Sequence, residues 1–199
     1  MSERPMLFST PMVEAIMADR KTQTRRLVKE IPLDAPYFED VDGVPMACDQ
    51  DGDWWPAVRF SRIQPGDIIW VRETWWAMPV SPGGHIRIPE RYYYRAGPDL
   101  RPDGWKGPWR PSIHMPRTAA RLFLRVENVR MEHLQDMTPE DCAKDGGFEP
   151  EAIKVVGVTP LFRTLWNSTI NQKDLRRYGW DASPWVWVYD FERIKNGRA

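Results

Sequence analysis

The sequence predicts a single α+β domain, in which a small mixed β-barrel is flanked by helices. Its 199 residues, 42% apolar and 12% aromatic, suffice for one substantial core and match the usual size of one domain. The predicted elements show neither regular βαβ alternation nor internal repeats, which disfavours a doubly wound sheet and a repeat array. The domain is predicted to cover residues 1–199, with two irregular Trp-rich insertions at about 31–63 and 79–116.

The N-terminal elements place Lys21 near a junction between a helix and a strand. Residues 6–8 are an apolar strand candidate, and Thr10-Pro11 predicts an N-cap followed by proline in the first helical turn. A helix of about ten residues should end near Asp19-Arg20, after which residues 22–28 favour a strand. Side chains at such junctions are well placed to point into pockets.

The first insertion has no sustained periodicity and is rich in Pro, Asp and Gly, which predicts a lid or binding loop. A turn at Pro65-Gly66-Asp67 then leads into a strand over residues 68–74. The second insertion is aromatic and basic. The Trp residues of both insertions, including Trp54 and Trp55, are either stacking surfaces or anchors that hold long loops in place.

The C-terminal half predicts two strands and two helices. Residues 121–126 nearly alternate apolar and charged side chains, as in a strand with one solvated face. Thr138-Pro139 and Gly146-Gly147 mark the ends of a helix that carries Asp145 in its last turn. A second helix starts at Thr159-Pro160. Residues 185–191 form a final aromatic strand, one side of which we assign to the core.

Composition excludes several classes of function. Lys plus Arg and Asp plus Glu both number 28, so a nucleic-acid site must come from local clustering. No apolar run reaches the roughly 20 residues of a membrane span, and no signal-peptide pattern begins the chain, so we expect a cytosolic protein. The two Cys and three His residues are scattered, which predicts neither a disulfide framework nor a metal site, and we expect no cofactor.

The run Lys21-Thr22-Gln23-Thr24-Arg25-Arg26, after a short amphipathic helix, resembles the signature of ASCH domains, a helix followed by G-x-K-x-x-x-x-R. Residues 66–73 resemble their second hallmark, a turn feeding a barrel strand. Residues 109–117 and 180–188 resemble segments of the longer ASCH proteins of bacteriophages and prophages. This resemblance implies that the chain is encoded by a phage or by its bacterial host. Asp19 stands where this family commonly has glycine, and Thr24 where the broader motif often has glutamate.

The resemblance implies a PUA-like mixed β-barrel that handles nucleic acid or nucleosides. ASCH domains are similar to PUA and YTH-type modules, which hold RNA or a modified base in a cleft beside the barrel. One branch, bacterial N4-acetylcytidine amidohydrolase, has the motif K-T-x-T-x-R and uses a Lys, a Thr and a Glu. By motif the Lys and Thr fall on Lys21 and Thr24, and the nearest counterpart of the Glu is Asp145, one methylene shorter.

The resemblance to this branch implies metal-independent amide hydrolysis by these residues, as an extension of nucleoside or RNA binding. A threonine hydroxyl needs a nearby base and a proton donor for the leaving amine. Lys21 is the candidate base, because desolvation and neighbouring cations lower the pKa of an amine. Asp145 is the candidate acid, and Arg26 would stabilise the oxyanion. The leaving group would be the cytosine amine.

Four further residues are candidate substrate contacts. Glu73, at a strand end, would hydrogen-bond a base edge or form an ion pair with Arg72 or Lys21. His114 would contact a ligand or pack between its neighbours. Strand alternation would send Trp75 and Trp76 to opposite faces, where the outward one could stack on a base.

Three alternatives to hydrolysis remain open. In the first, the basic run is a solvated strand whose Lys21 and Arg26 contact phosphates, because charge runs are usually solvated. In the second, the chain is a non-catalytic phage interaction or assembly module, in which the Trp-rich insertions contact a protein partner. In the third, the chain is a ribonuclease, as claimed for some ASCH relatives, although no clustered pair of histidines supports that chemistry.

Overall fold

The structure, a computed structural model, describes residues 1–28, 37–42, 44–49, 51–77, 91–104 and 107–195. Within these residues it combines α-helices with three β-sheets, which confirms the predicted α+β class. No helix in these ranges is both long enough and apolar enough to cross a membrane.

The elements, in chain order, are β1 (Glu3–Leu7), α1 (Thr10–Met17), β2 (Gln23–Leu27), β3 (Tyr37–Val41), β4 (Val44–Cys48), β5 (Trp54–Pro56), β6 (Ile68–Arg72), β7 (Trp75–Ala77), β8 (Tyr92–Tyr94), β9 (Phe123–His133), α2 (Pro139–Gly146), α3 (Pro150–Val156), α4 (Val158–Thr169), α5 (Leu175–Tyr178) and β10 (Trp185–Arg193).

The largest sheet has five strands in the order β1-β6-β9-β10-β2. The β1–β6 pair is parallel, and the other three pairs are antiparallel. Among the described residues, backbone pairing leaves β1 and β2 as the two edges, so no closed barrel is found. The two edges nevertheless meet through a side chain, because Nη2 of Arg26 in β2 donates to the carbonyl of Leu7 in β1 at 2.6 Å.

Hydrophobic clusters cover both faces of this sheet. Alternate residues of β10 pack on one face together with Val13 and Ile16 of α1; these β10 residues are Trp187, Tyr189 and Phe191. The residues between them, Val186 and Val188, pack on the other face against α2 and α4. The predicted core role of the final aromatic strand is therefore confirmed. Strand alternation explains how one strand serves two clusters.

The junction after α1 turns on a residue in an unusual backbone conformation. α1 has eight residues rather than about ten, and its N-cap is Ser9, one residue before the predicted Thr10. After the C-cap Ala18, Asp19 adopts a left-handed conformation with φ of 54°. Glycine reaches this region without steric cost, and Asp is among the few other residues that tolerate it. The backbone at this junction therefore favours Gly, Asn or Asp at position 19.

Helix α2 ends against this junction. Thr138 accepts a hydrogen bond from the amide of Asp141, and left-handed Gly147, with φ of 65°, ends the helix, as the sequence predicts. A Cβ on Gly147 would lie 2.7 Å from that of Ala15, so the helix end packs closely on α1. Arg20 also donates to the carbonyl of Gly147 at 2.6 Å. Asp145, in the last turn of α2, is thereby brought to the start of β2.

The insertions are more regular than predicted. Strands β3, β4 and β5 form a three-stranded antiparallel sheet inside the first, and β7 pairs with β8 of the second. The overlooked signal was the dipeptide Asp42-Gly43 between Val41 and Val44, which is typical of a two-residue hairpin loop. Residues 29–36, 78–90 and 105–106, which include Trp105, lie outside the described residues.

Two short helices were also missed, and one helix start was displaced. The sequence predicts neither α3 nor α5, and α4 begins at Val158 rather than at Thr159-Pro160. α3 and α5 have only seven and four residues, too few to show a clear apolar period. Phe162 and Trp166 of α4, four residues apart on one helix face, belong to the cluster that contains Val186 and Val188.

Candidate functional site

A small cleft lies beside edge strand β2, where α1, α2 and α4 meet it. Four polar residues line one part of it: Thr24, Arg25, Arg26 and Asp145. The remaining wall consists of Met12, Phe162, Leu165, Trp166 and Thr169. Its volume is about 30 Å³, roughly two water molecules at about 10–15 Å³ each. A nucleoside would therefore extend through the mouth of the cleft or displace part of its wall.

Lys21 and Asp145 form a buried ion pair at this site. The ammonium nitrogen of Lys21 lies 2.5 Å from Oδ1 of Asp145, and their side chains are 0% and 4% exposed. The same nitrogen donates to the backbone carbonyls of Gln23, at 2.8 Å, and of Asp145. An ammonium group has three donors, so all three are used. Asp145 lines the cleft, and the Lys21 amine lies behind it.

The environment of Lys21 favours its neutral amine more than water does. Burial lowers the pKa of Lys21, because the charged form loses its hydration. The negative charge of Asp145 opposes this shift, and the charges of Arg26 and Arg25 add to it. The predicted lowering of the pKa of Lys21 by desolvation and neighbouring cations therefore agrees with the surroundings of this residue.

Thr24 and Arg26 sit on the same side of β2. Thr24 is 3% exposed and pairs in register with Tyr189 of β10. Arg26 stacks over the Phe8 ring at 5.1 Å, and its Nε is buried without a hydrogen-bond partner in the structure as described. Burial lowers the pKa of the Arg26 guanidinium, whereas Asp145 and Tyr189 oppose that change. A hydroxyl and an unpaired guanidinium nitrogen thus belong to residues lining one cleft.

Arg25 connects Asp145 to a second set of carboxylates. Its Nη1 lies 3.3 Å from Oδ2 of Asp145, and its Nε and Nη2 donate to Oε1 of Glu132 at 3.1 and 2.6 Å. Nη1 also donates to the side-chain oxygen of Gln23 at 2.5 Å. The Arg25 side chain is 0% exposed. Each nitrogen of this guanidinium therefore has an acceptor.

A second arginine completes this polar network. Arg130 contacts Glu132, Asp141 and Asp190, at 2.8, 3.0 and 3.0 Å. The side-chain nitrogen of Gln23 donates to Asp141 at 2.9 Å and to Asp190 at 2.7 Å. Buried charges need such partners, since an unpaired one costs several kcal/mol.

Sequence reasoning missed this network and the α4 wall of the cleft. Gln23 is an uncharged residue inside a basic run, and the charge of Arg25 does not by itself indicate its partners. The charged residues Arg130 and Glu132 of β9 lie two apart, a spacing that places them on one face of a strand. This two-residue spacing was the feature of the sequence that could have indicated the polar network. The meeting of α4 with β2 depends on tertiary packing and has no local signature.

Glu73 lies in a different ion pair from those predicted. It is 1% exposed and receives two hydrogen bonds from Arg121, both 2.8 Å long, instead of pairing with Arg72 or Lys21. Burial raises the pKa of Glu73, and Arg121 opposes that shift. Glu73 does not line the β2 cleft. The geometry fits the ion-pair alternative, and contact with a base edge stays a prediction.

Trp75 and Trp76 are both buried, at 4% and 5% exposure, so the prediction that one faces outward is wrong. Trp75 packs with Met115 and Ala119. Trp76 contacts the ring of Tyr93, with ring centres 5.5 Å apart, and a Cβ on Gly107 would lie 3.1 Å from the indole nitrogen of Trp76. The β7–β8 hairpin is therefore covered on both faces.

His114 is exposed in a short 3-10 helix, Ser112–His114, rather than packed between its neighbours. Like Trp75 and Trp76, it is not among the residues that line the β2 cleft. Substrate contact by these three residues stays a prediction. Cys48 and Cys142 are free and buried. Across the ranges that the structure describes, no three His, Cys, Asp or Glu side chains are grouped to hold a metal ion.

Comparison with known proteins leaves the family open. No family model and no curated protein matches this chain. One solved structure, of hypothetical protein PH0355, covers 98% of this chain and 100% of its own, with 14% identity and a TM-score of 0.40. A likeness at this level assigns neither a fold family nor an activity.

Proposed function

We propose that this chain is a PUA-like domain of the ASCH type, which binds a nucleoside or single-stranded RNA and removes an N4-acyl group from cytidine without a metal ion. One observation carries the proposal. Thr24, Arg26 and Asp145 line a single cleft, and the amine of Lys21 is bonded to Asp145 directly behind it. A hydroxyl, a guanidinium and a proton-holding pair are the groups that amide hydrolysis requires.

Two features of the fold support the PUA-like assignment. The contact between Arg26 and Leu7 bridges the two edges of the five-stranded sheet, as expected of a sheet curled toward a barrel. Asp19 is left-handed at the position where the ASCH signature has glycine. The first feature involves Arg26, the last residue of the motif, and the second lies at the turn between α1 and β2.

The proposed reaction begins with attack by the Thr24 hydroxyl on the acyl carbon of the substrate. The reactive form of the pair has a neutral Lys21 amine, which burial favours by lowering the pKa of Lys21. The hydroxyl proton passes to this amine–carboxylate pair, and a C–O bond forms as the carbonyl oxygen becomes an oxyanion. When the C–N bond breaks, the pair returns the proton to the N4 amine of cytidine. Water then hydrolyses the acyl-threonine, so the products are a carboxylic acid and cytidine.

The Lys21–Asp145 pair is suited to holding this proton. In the ionic form, the ammonium group donates to two backbone carbonyls and to Asp145. With the proton on Asp145 instead, the carboxyl group donates to the amine, and the amine still donates to both carbonyls. Both forms satisfy every donor. Because Asp145 faces the cleft, we infer that proton exchange with the substrate passes through its carboxylate.

Arg26 is the proposed oxyanion partner. Its Nη2 is used by the carbonyl of Leu7, whereas its buried Nε has no acceptor among the described residues. A donor fixed in a site with little water stabilises a developing negative charge more strongly than water does. Removing one such donor from an acyl-transfer enzyme typically costs about 10²–10³ in kcat.

The test is incubation of the purified protein with N4-acetylcytidine while the mass of the nucleoside is followed. We expect conversion to cytidine by the wild type and none by Lys21→Ala or Thr24→Ala. Thr22→Ala is a matched control, because Thr22 belongs to the motif but does not line the cleft. An unchanged mass with the folded wild type would exclude the hydrolase.

Binding is tested separately by tryptophan fluorescence during titration with short single-stranded RNA. Trp166 lines the cleft, so occupancy should change its emission. A response that Arg26→Ala leaves unaltered would contradict binding in this cleft.

A non-catalytic interaction module is the second candidate, and a separate feature favours it. In the β3–β4–β5 sheet, the register places Val41, Val44 and Trp54 on one face. Their exposures of 47%, 48% and 43% are high for apolar side chains. A protein partner could cover this face. Under this candidate N4-acetylcytidine stays intact, and Trp54→Ser weakens partner binding whereas Thr24→Val does not.

A further inference from the structure

We propose, on the basis of this function, that Arg25 is a positioning residue that holds the Asp145 carboxylate in its working orientation between Lys21 and the cleft. The ASCH signature leaves the position of Arg25 open. Arg25 lines the cleft together with Thr24 and Arg26, but each nitrogen of its guanidinium already has an acceptor within the protein. Arg25 would therefore act through Asp145 rather than on the substrate.

The two oxygens of Asp145 have different partners. Oδ1 accepts from Lys21 at 2.5 Å, and Oδ2 lies 3.3 Å from Nη1 of Arg25. Two cations on opposite oxygens fix the rotation of the carboxylate about its side-chain bond. Without Arg25, the carboxylate would keep its contact with Lys21 but could turn Oδ2 away. The orientation of Oδ2 relative to the cleft therefore depends on Arg25.

Arg25 is itself held rigidly. Glu132 accepts from its Nε and Nη2, and Gln23 accepts from its Nη1. Gln23 is oriented in turn by Asp141 and Asp190, which receive its amide hydrogens. A planar guanidinium bound at three nitrogens has little freedom to move. These contacts hold the guanidinium of Arg25 more firmly than a single ion pair with Asp145 would.

The charge of Arg25 also acts on Lys21. Burial is the main cause that lowers the pKa of Lys21, and Arg26 and Arg25 both contribute in the same direction. The other charged or titratable groups around this site are Cys142 beside Asp145 on α2, Tyr189 of β10 beside Arg26, and Glu132 and Asp141 beyond Arg25. The cleft residues from α4 carry no charge. Removing Arg25 should therefore raise the pKa of Lys21.

Arg130 provides a matched control. It belongs to the same network and contacts Glu132, Asp141 and Asp190, but it makes no ion pair with Asp145. If Arg25 only stabilised the network, Arg25→Met and Arg130→Met would have similar effects. If Arg25 positions Asp145, only its replacement should change the pH dependence of the reaction.

The experiment measures kcat/KM for N4-acetylcytidine against pH in the wild type, Arg25→Met, Arg25→Lys and Arg130→Met. We expect Arg25→Met to lower kcat/KM roughly 10- to 100-fold, as for a misplaced reacting group, and to move the profile to higher pH. Arg25→Lys keeps the charge and should restore the wild-type pH position. Arg130→Met should leave that position unchanged. Equal profiles for Arg25→Met and Arg130→Met would overturn the inference.

A second readout does not depend on activity. NMR of protein carrying ¹³C-labelled lysine follows the titration of Lys21 with no substrate present, assigned by its loss in Lys21→Met. In Arg25→Met, or in Arg25→Met/Glu132→Gln if the single variant folds poorly, the titration should move to higher pH. An unmoved titration would refute the inference whatever the activity. A moved titration in a protein inert toward N4-acetylcytidine would support Arg25 and exclude the hydrolase.

Discussion

The ammonium nitrogen of Lys21 donates to Oδ1 of Asp145 at 2.5 Å and to the backbone carbonyl of the same residue, although 124 positions separate the two residues in sequence. The pair joins the start of β2 to the last turn of α2. The backbone reinforces this link, since the amide of Thr22 donates to the carbonyl of Lys144 at 3.0 Å. One ion pair therefore connects the start of the Lys21–Arg26 run to the last turn of helix α2.

Breaking this pair from one side should destabilise the fold strongly. Lys21→Met leaves the Asp145 carboxylate without its closest partner, and Asp145→Asn leaves a buried ammonium. Removal of one member of a buried ion pair typically costs about 3–5 kcal/mol. We expect each variant to lower the free energy of unfolding by such an amount in urea titrations.

The double variant Lys21→Met/Asp145→Leu is the control, because it removes both charges together. Its loss of stability should be clearly smaller than the sum of the two single losses, since no unpaired charge remains. Additive losses would contradict direct energetic coupling between these residues.

The thiol of Cys142 should react very slowly in the folded protein. Burial raises the pKa of Cys142 to about 11, and the nearby Asp145 adds to this shift. Thiolate is the reactive form, so at pH 8 its fraction should be about 100-fold smaller than for a thiol with the ordinary pKa of 9.0. Iodoacetamide labelling of Cys48→Ser protein, followed by mass, measures this rate. Labelling at the rate of a free thiol would contradict the burial of Cys142.

The raised pKa of Cys142 also makes the stability of the protein depend on pH. A thiol whose pKa is raised in the folded state stabilises the protein below pH 9.0, and this contribution is lost as the pH rises toward 11. Cys142→Ala removes the titrating group. We therefore expect the urea midpoint of Cys142→Ala to fall less than that of the wild type between these pH values. Parallel curves would contradict the shift.

The left-handed conformation of Asp19 predicts an ordering of variants. Asp19→Gly and Asp19→Ala both lose the contacts with Arg193, at 2.9 and 3.1 Å. Only alanine then pays the steric cost of a left-handed residue. Asp19→Ala should melt about 2–4 °C below Asp19→Gly for a chain of this size. Equal melting temperatures would contradict a strained junction.

Features with a local cause were predictable from the sequence. Thr138 and Gly147 define α2 by capping chemistry, and the alternating aromatic residues of β10 mark it as a core strand. Their positions placed Asp145 in the last turn of its helix. The proximity of Lys21 and Thr24 in the chain also followed directly from the motif.

Features that arise from tertiary contacts were not predictable. Nothing local identifies Glu132 and Arg25 as partners, because β9 and β2 are brought together only by β10 between them. The burial of both Trp75 and Trp76 likewise depends on Tyr93 and Met115, which come from later in the chain. Strand alternation correctly predicted that Trp75 and Trp76 lie on opposite faces of β7, but it could not show that other residues cover both faces.

The most direct test of the central claim is the rate of cytidine formation from N4-acetylcytidine by wild type, Thr24→Ser and Thr24→Val. Serine keeps a hydroxyl at this position, whereas valine keeps the shape of threonine without it. We predict that Thr24→Ser retains measurable turnover and that Thr24→Val loses it while remaining folded. Turnover by Thr24→Val at the wild-type rate would contradict a hydrolytic role for this hydroxyl.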